Sequence, residues 1–295
     1  ARYQIDPLGQ RRGFSGDNLV CYVSIESHYS VLMAANVLGI GFDNVIKIPC
    51  DESGRMRIDK LQEEIERTRT NGQTPFCVIA TAGTTVRGAF DPIKEIAETC
   101  SDNDIWLHVD ASWGGSCMFS TKHRELMDGV ELADSVSWDA HKMMGVPLVC
   151  SAFLIKKPEI LRKVCSHGDV AHYLFHGDSE DVDIGRISLQ CGRRNDALKL
   201  FLAWREKGDA GWARLVDSYV DLADHLQSLI EAEEKLEMVS SRVWSNVCMR
   251  YVVEGFDLND VNFQIRERMM REGRFMVSSS KVGDIVILRP VVANP

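Results

Sequence analysis

The sequence has no apolar run approaching the roughly 20 residues of a membrane-crossing helix, which excludes a protein anchored by such spans. It has no excess of positive charge. Its 34 Lys and Arg against 43 Asp and Glu leave a net charge of −9, whereas a nucleic-acid or anionic-membrane partner calls for a basic face. Its nine cysteines include no CxxC pair and its eight histidines form no HExxH, so a metal site is not expected. An odd number of scattered thiols argues for buried, reduced cysteines in a cytoplasmic compartment. No internal repeat, low-complexity tract, secretory pattern or transit pattern is visible. What is there is a chain of 295 residues, 45% hydrophobic and 26% charged, enough for one large α/β domain and a smaller one.

Strand and helix patterns alternate. Leu19 to Ile25, Asn44 to Ile48, Pro75 to Ala82, Ile105 to Asp110, Ser135 to Asp139 and Val149 to Ile155 read as strands, several of them continuously apolar. Tyr29 to Leu38, Asp59 to Arg69, a segment opened by Pro92 as its first helical residue, and Lys157 to Cys165 read as helices. In residues 1–13, Pro7 and Gly9 should soon end any helix. The alternation predicts a mostly parallel sheet with helices on both faces and right-handed connections. Residues 168–194 are polar, acidic and glycine-punctuated, as in a functional flap. Helices over Asn195 to Lys207 and Trp212 to Ala232 follow. Then come strand Ser245 to Val253, helix Asn259 to Arg271 and strands Arg274 to Ser278 and Asp284 to Val292, an α+β layer. The expected division is a large domain over 1–232 and a small domain over 233–295.

Lys142, Asp110 and His28 all stand at or just past the C-terminal end of a predicted strand, where an open parallel sheet binds its ligands. Taken singly, each has an ordinary explanation: a solvated surface lysine, a loop aspartate, a hydrogen-bonded core histidine. Together, an amine, a carboxylate and an imidazole suit pyridoxal 5'-phosphate. The lysine bonds the aldehyde, and the acid keeps the ring nitrogen protonated so that the ring can accept electrons. The hydroxyls of Thr81, Thr84 and Thr85 lie at the same kind of place.

The motifs SHYS, TAGTTVRGAFDP, WLHVDASWGG, DSVSWDAHKMMGVPLVCSAF, QCGRR and LRPVVANP, in that order, resemble the group II pyridoxal-phosphate amino-acid decarboxylases of the glutamate decarboxylase and cysteine sulfinate decarboxylase family. The resemblance runs almost end to end. It implies the fold type I architecture of pyridoxal-phosphate-dependent transferases, with a smaller α+β C-terminal domain. It also implies decarboxylation of an acidic L-amino acid (glutamate, cysteine sulfinate or aspartate) to the amine and carbon dioxide, by a homodimer with active sites at the subunit interface.

Position by position, Lys142 resembles the cofactor-bonding lysine, His141 the phosphate-contacting histidine, and Asp110 the partner of the pyridine nitrogen. His28 resembles the imidazole stacked on the ring, which is also implicated in protonating the substrate carbon. Thr84 corresponds to a residue near the phenolic oxygen, and Ser112 replaces the alanine that packs on the ring. Arg289 resembles the arginine that holds the substrate's distal acid, a role that suits a planar bidentate donor set among the apolar Ile287, Leu288, Val291 and Val292.

Three departures bear on function. Asp139 and Ala140 replace the family's asparagine and proline, placing a negative charge near a phosphate. No tyrosine occurs in Asp178 to Leu189, where the family's flap tyrosine donates a proton, which admits a decarboxylation that ends in aldehyde. The family's phosphate loop would lie upstream of Ala1 and a tail beyond Pro295. This admits a chain truncated at both ends that serves as a non-catalytic scaffold or dimer partner.

Overall fold

A computed structural model describes residues 1–13, 18–165, 184–190 and 192–293. Two short helices, α1 (Arg2–Ile5) and α2 (Gly9–Arg12), open the chain; Gly9 begins the second helix rather than ending one. The main sheet has six strands: β1 (Leu19–Ser24), β2 (Val45–Ile48), β3 (Thr74–Thr81), β4 (Trp106–Asp110), β5 (Ser135–Asp139) and β6 (Ser151–Ile155). They lie in the order β2-β1-β3-β4-β5-β6, with the first five mutually parallel and β6 antiparallel to β5.

Parallel neighbours need long crossovers. Three of these carry helices: α3 (Ser30–Val37), α4 (Ile58–Thr70) and α5 (Ile93–Asn103). The fourth, between β4 and β5, is built of 3-10 turns. Pro92 caps α5 from outside the helix instead of forming its first residue, and its missing N–H is no loss at either position.

All six residues of β1 are buried, because both faces of the sheet are covered. Val20 and Tyr22 face a core shared with Leu61 and Ile65 of α4 and Ile93 and Ile96 of α5. Leu19, Cys21 and Val23 face a second core with Ala35 of α3 and Ile160 of α6 (Pro158–Cys165).

α7 (Asp196–Glu231) is broken at Gly208, whose φ of 61° and ψ of 174° are not helical, so two helices run from Asn195 to Ala232 as the sequence implies. Beyond it stand β7 (Leu236–Met238), β8 (Met249–Tyr251), α8 (Leu258–Glu272), β9 (Ser278–Val282) and β10 (Ile285–Arg289). The strands form an antiparallel sheet in the order β7-β8-β10-β9, against which α8 packs.

The strand expected over Arg274 to Ser278 lies at Ser278–Val282, and Phe275 and Met276 are 72% and 82% exposed. The two-residue turn Gly283-Asp284 pairs Val282 with Ile285, and that register, rather than the apolar run, decides which residues form the strand. β7 was not anticipated, since three residues carry too little pattern. The strand expected over Ser245 to Val253 is confined to Met249–Tyr251.

Among the described residues no helix is long and apolar enough to cross a membrane.

Candidate active site

Because β1 to β5 are parallel, their C-terminal ends open onto one edge of the sheet. Asp110 ends β4 and is in register with Thr81 of β3 and Ser137 of β5. Lys142 lies three residues beyond the end of β5, and His28 four beyond the end of β1. Three interstrand spacings, about 14 Å, separate the outermost of these strands, a span that accommodates an aromatic ring lying along the edge.

Asp110 is held by one oxygen. Its Oδ1 accepts from the Ser112 hydroxyl at 2.6 Å, the Ser112 amide at 3.1 Å and the Ser137 hydroxyl at 3.2 Å. Among the described residues no hydrogen bond reaches Oδ2. A carboxylate fixed in this way offers its second oxygen to a protonated ring nitrogen, so the site fits pyridoxal phosphate at that end. Ser112 thus orients the acid. Ser137 was missed in the sequence, although strand alternation places it on the same face as Asp139.

Lys142 Nζ lies 3.0 Å from Asp139 Oδ2, and His141 Nε2 lies 3.9 Å from the same oxygen. The charge of Asp139 therefore faces two cationic or potentially cationic groups. The lysine side chain is 38% exposed and the aspartate 15%, so the amine stands at the mouth of the site on a more enclosed base. His141 Nδ1 sits 2.9 Å from the Cys150 carbonyl oxygen and 3.2 Å from its amide nitrogen, so either tautomer is anchored and Nε2 points to the site.

His28 Nδ1 bonds the Ser30 hydroxyl at 2.8 Å, and its ring centroid lies 4.4 Å from that of Tyr29. No hydrogen bond joins it to Asp110 or Lys142. Thr84 is fully enclosed and its hydroxyl oxygen accepts from the Ala89 amide at 3.1 Å, so it braces the loop after β3, while Thr85 is the exposed hydroxyl there. Arg289, at the end of β10, donates from Nη1 to the Thr85 carbonyl and from Nη2 to Ser278 Oγ at 3.3 Å. Its buried Nε has no hydrogen-bond partner among the described residues. Burial lowers its pKa below the usual guanidinium value. The residues of the expected flap through 183 lie outside the described residues, and the question of its tyrosine with them.

A second link was not legible in the sequence. Arg87 Nη2 donates to Glu26 Oε1 at 2.8 Å and Nη1 to the Glu52 carbonyl at 3.0 Å, tying together the loops that follow β1, β2 and β3. A cavity of about 500 Å³ lies elsewhere, beneath α1 and α3 against Cys21, Phe76 and Cys77, and none of the candidate site residues lines it. The chemistry belongs to the strand ends, where the charged groups converge.

A lysine and an anchored carboxylate on the same carboxyl edge of a doubly covered parallel sheet form the arrangement of a pyridoxal-phosphate protein of fold type I. The chain belongs to the pyridoxal-dependent decarboxylase family, whose conserved domain matches residues 11–252. It is 39% identical to acidic amino acid decarboxylase GADL1 of Bos taurus over 311 residues, an alignment covering all of this chain and 60% of the bovine protein. The crystal structure of mouse CSAD in apo form superposes with a TM-score of 0.92 at 36% identity, covering 100% of this chain and 64% of that one. Oryza sativa TDC with PLP and tryptamine gives a TM-score of 0.90 at 26% identity, covering 99% of this chain and 61% of that one. The chain therefore spans roughly six tenths of the length of these relatives.

Proposed function

We propose that the protein to which this chain belongs decarboxylates an acidic L-amino acid, glutamate, cysteine sulfinate or aspartate, to the corresponding amine and carbon dioxide. The observation that carries this reading is the placement of Lys142 and Asp110 on one sheet edge in a chain of the pyridoxal-dependent decarboxylase family. Bound pyridoxal phosphate supplies an electron sink for the carbanion left when the carboxylate departs.

The chain's own residues do the rest. Lys142 presents the amine that holds the cofactor, on a base set by Asp139. Asp110 keeps a proton at the ring nitrogen, and Ser112 and Ser137 fix its direction. His141 Nε2 is offered to the phosphate, and His28, whose Nε2 has no hydrogen bond among the described residues, covers the ring and delivers a proton to carbon. Thr84 supports the loop beside the phenolic oxygen. Arg289 offers a planar fork to the substrate's distal acid. The bovine relative, named for acidic amino acids, supports that assignment.

We also propose, as the family resemblance implies, a homodimer with its active sites at the subunit interface. The eight described cysteines, all free, fit a cytoplasmic location. We propose a division into a large domain over 1–232, with the flap at 168–194, and a small domain over 233–295.

The test uses the full-length protein incubated with pyridoxal phosphate and reduced with borohydride. Peptide mass spectrometry should find the added mass on Lys142, and Lys142→Ala should carry none. A separate, unreduced sample of the loaded protein should release carbon dioxide and amine from at least one of the three acids. Aldehyde with ammonia in place of amine would move the assignment to an aldehyde-forming enzyme, and cofactor mass on another lysine would overturn the site.

A further inference from the structure

A buried amide beside the candidate site lies outside the sequence motifs that carry the family resemblance. Asn246 is 1% exposed, and its Oδ1 accepts from Trp113 Nε1 at 2.7 Å. Its Nδ2 donates to the Thr85 carbonyl at 3.0 Å and the Val86 carbonyl at 3.1 Å. The orientation of the amide is fixed chemically. An indole N–H can only donate and a backbone carbonyl can only accept, so a flipped amide would break all three bonds. The amide is closely packed: a Cβ on Gly88, at φ +69°, would lie 3.0 Å from Asn246 Oδ1 and 3.1 Å from the Trp244 side chain.

Three loops meet at this amide. Trp113 lies just beyond Asp110 and Ser112 on the loop that ends β4. Thr85 and Val86 lie on the loop after β3. The backbone of Asn246 bridges to Val291, two residues beyond Arg289, and the Val247 amide donates to the Pro290 carbonyl at 3.0 Å. The Thr85 carbonyl that accepts from Asn246 also accepts from Arg289 Nη1. One carbonyl oxygen, with two lone pairs, thus joins the amide to the guanidinium.

We propose that Asn246 is a positioning residue that fixes the Thr85 carbonyl and thereby aims the Arg289 fork. Arg289 has two settings to choose between: a fork held by Thr85 and Ser278, or a free side chain sampling many rotamers. Asn246 holds the first. The inference rests on the reading of Arg289 as the group that meets the substrate's distal acid. It concerns a residue that acts through another and touches neither cofactor nor substrate.

The decisive variant is Asn246→Asp in the full-length protein loaded with pyridoxal phosphate. It keeps the acceptor for Trp113 and turns the donor into a carboxylate oxygen facing two carbonyls. KM for the acidic substrate should rise about tenfold or more while kcat changes by less than about threefold. In a double-mutant cycle with Arg289→Lys the two KM effects should not add, because Asn246 acts only through the guanidinium. The Arg289 Nε–Hε resonance, assigned by its loss in Arg289→Lys, should shift in Asn246→Asp with or without substrate. Should Asn246→Asp fail to fold, Asn246→Ala carries the same cycle without the buried charge.

Additive KM effects, or an unmoved Arg289 resonance in a folded variant, would overturn the proposal. If the wild-type protein acts on no acidic amino acid, the functional reading fails. The resonance then decides the positioning claim by itself.

Discussion

Asp91 is 2% exposed and spans two segments, its Oδ1 accepting from the Met56 amide and its Oδ2 from the Thr81 amide, each at 2.7 Å. Desolvation outweighs those two bonds and pushes the carboxyl up from 3.8 to about 7. Between those values the folded chain binds more protons than the unfolded one. The contribution is therefore fully present below about pH 3.8 and is lost as pH rises through about 7, a change on the order of 4 kcal/mol. Denaturant titrations of the wild type and Asp91→Asn across this range should show the stability difference shifting against the wild type as pH rises, because the variant lacks the titration. Parallel curves between pH 4 and 7 would rule it out.

Legibility at this scale followed chain locality. Lys142 and Asp110 were readable because each closes an apolar run. Asp91, Ser137 and Asn246 were not, because their partners come from distant segments and a hydrogen bond across the fold leaves no local pattern. Arg289 was readable as half-buried, but its fork rests on a carbonyl and a hydroxyl of the chain itself, which composition could not indicate.

At the scale of elements, the buried parallel strands and their crossover helices were legible to within a few residues, since continuous β-branched runs and 3.6-residue periodicity are strong signals. The antiparallel sheet was less so. Its short strands are defined by cross-strand register, which moved β9 off its apolar run.

The break in α7 is a sharper case. Gly208 occupies a backbone region that is essentially glycine-only, and its missing side chain faces open space, so conformation alone demands glycine there. The break sets Trp204 and Trp212 6.2 Å apart, edge to face, with Trp204 Nε1 donating to Asp209 Oδ1 at 2.8 Å. Gly208→Ala should cost about 1–3 kcal/mol by forcing that conformation on a residue with a Cβ. A thermal melt should show the midpoint fall by several degrees. A midpoint that rises would mean that the helix straightens at no cost to the tryptophan pair.

At the scale of the whole molecule, the candidate site draws on both sheets. Lys142, Asp110 and His28 come with the six-stranded sheet, and Arg289 with the four-stranded one. The cores are joined in the same way. Trp244 lies beyond residue 232, yet it is fully enclosed in the core of the larger sheet, with its ring 5.9 Å from both Phe90 and His123.

The proposed division at 232/233 can therefore be tested by ending the chain there. Removing a core tryptophan side chain costs about 3–5 kcal/mol. The cut also strips the partner of the Thr85 and Val86 carbonyls. Set against a domain stability of roughly 5–15 kcal/mol, these losses leave residues 1–232 marginal. Residues 1–232 should unfold over a broad transition and bind a hydrophobic dye, whereas residues 1–295 should unfold cooperatively. If the shorter chain melts cooperatively at the midpoint of the longer one, the larger sheet is an independent domain and Trp244 fills a groove that it does not need to close.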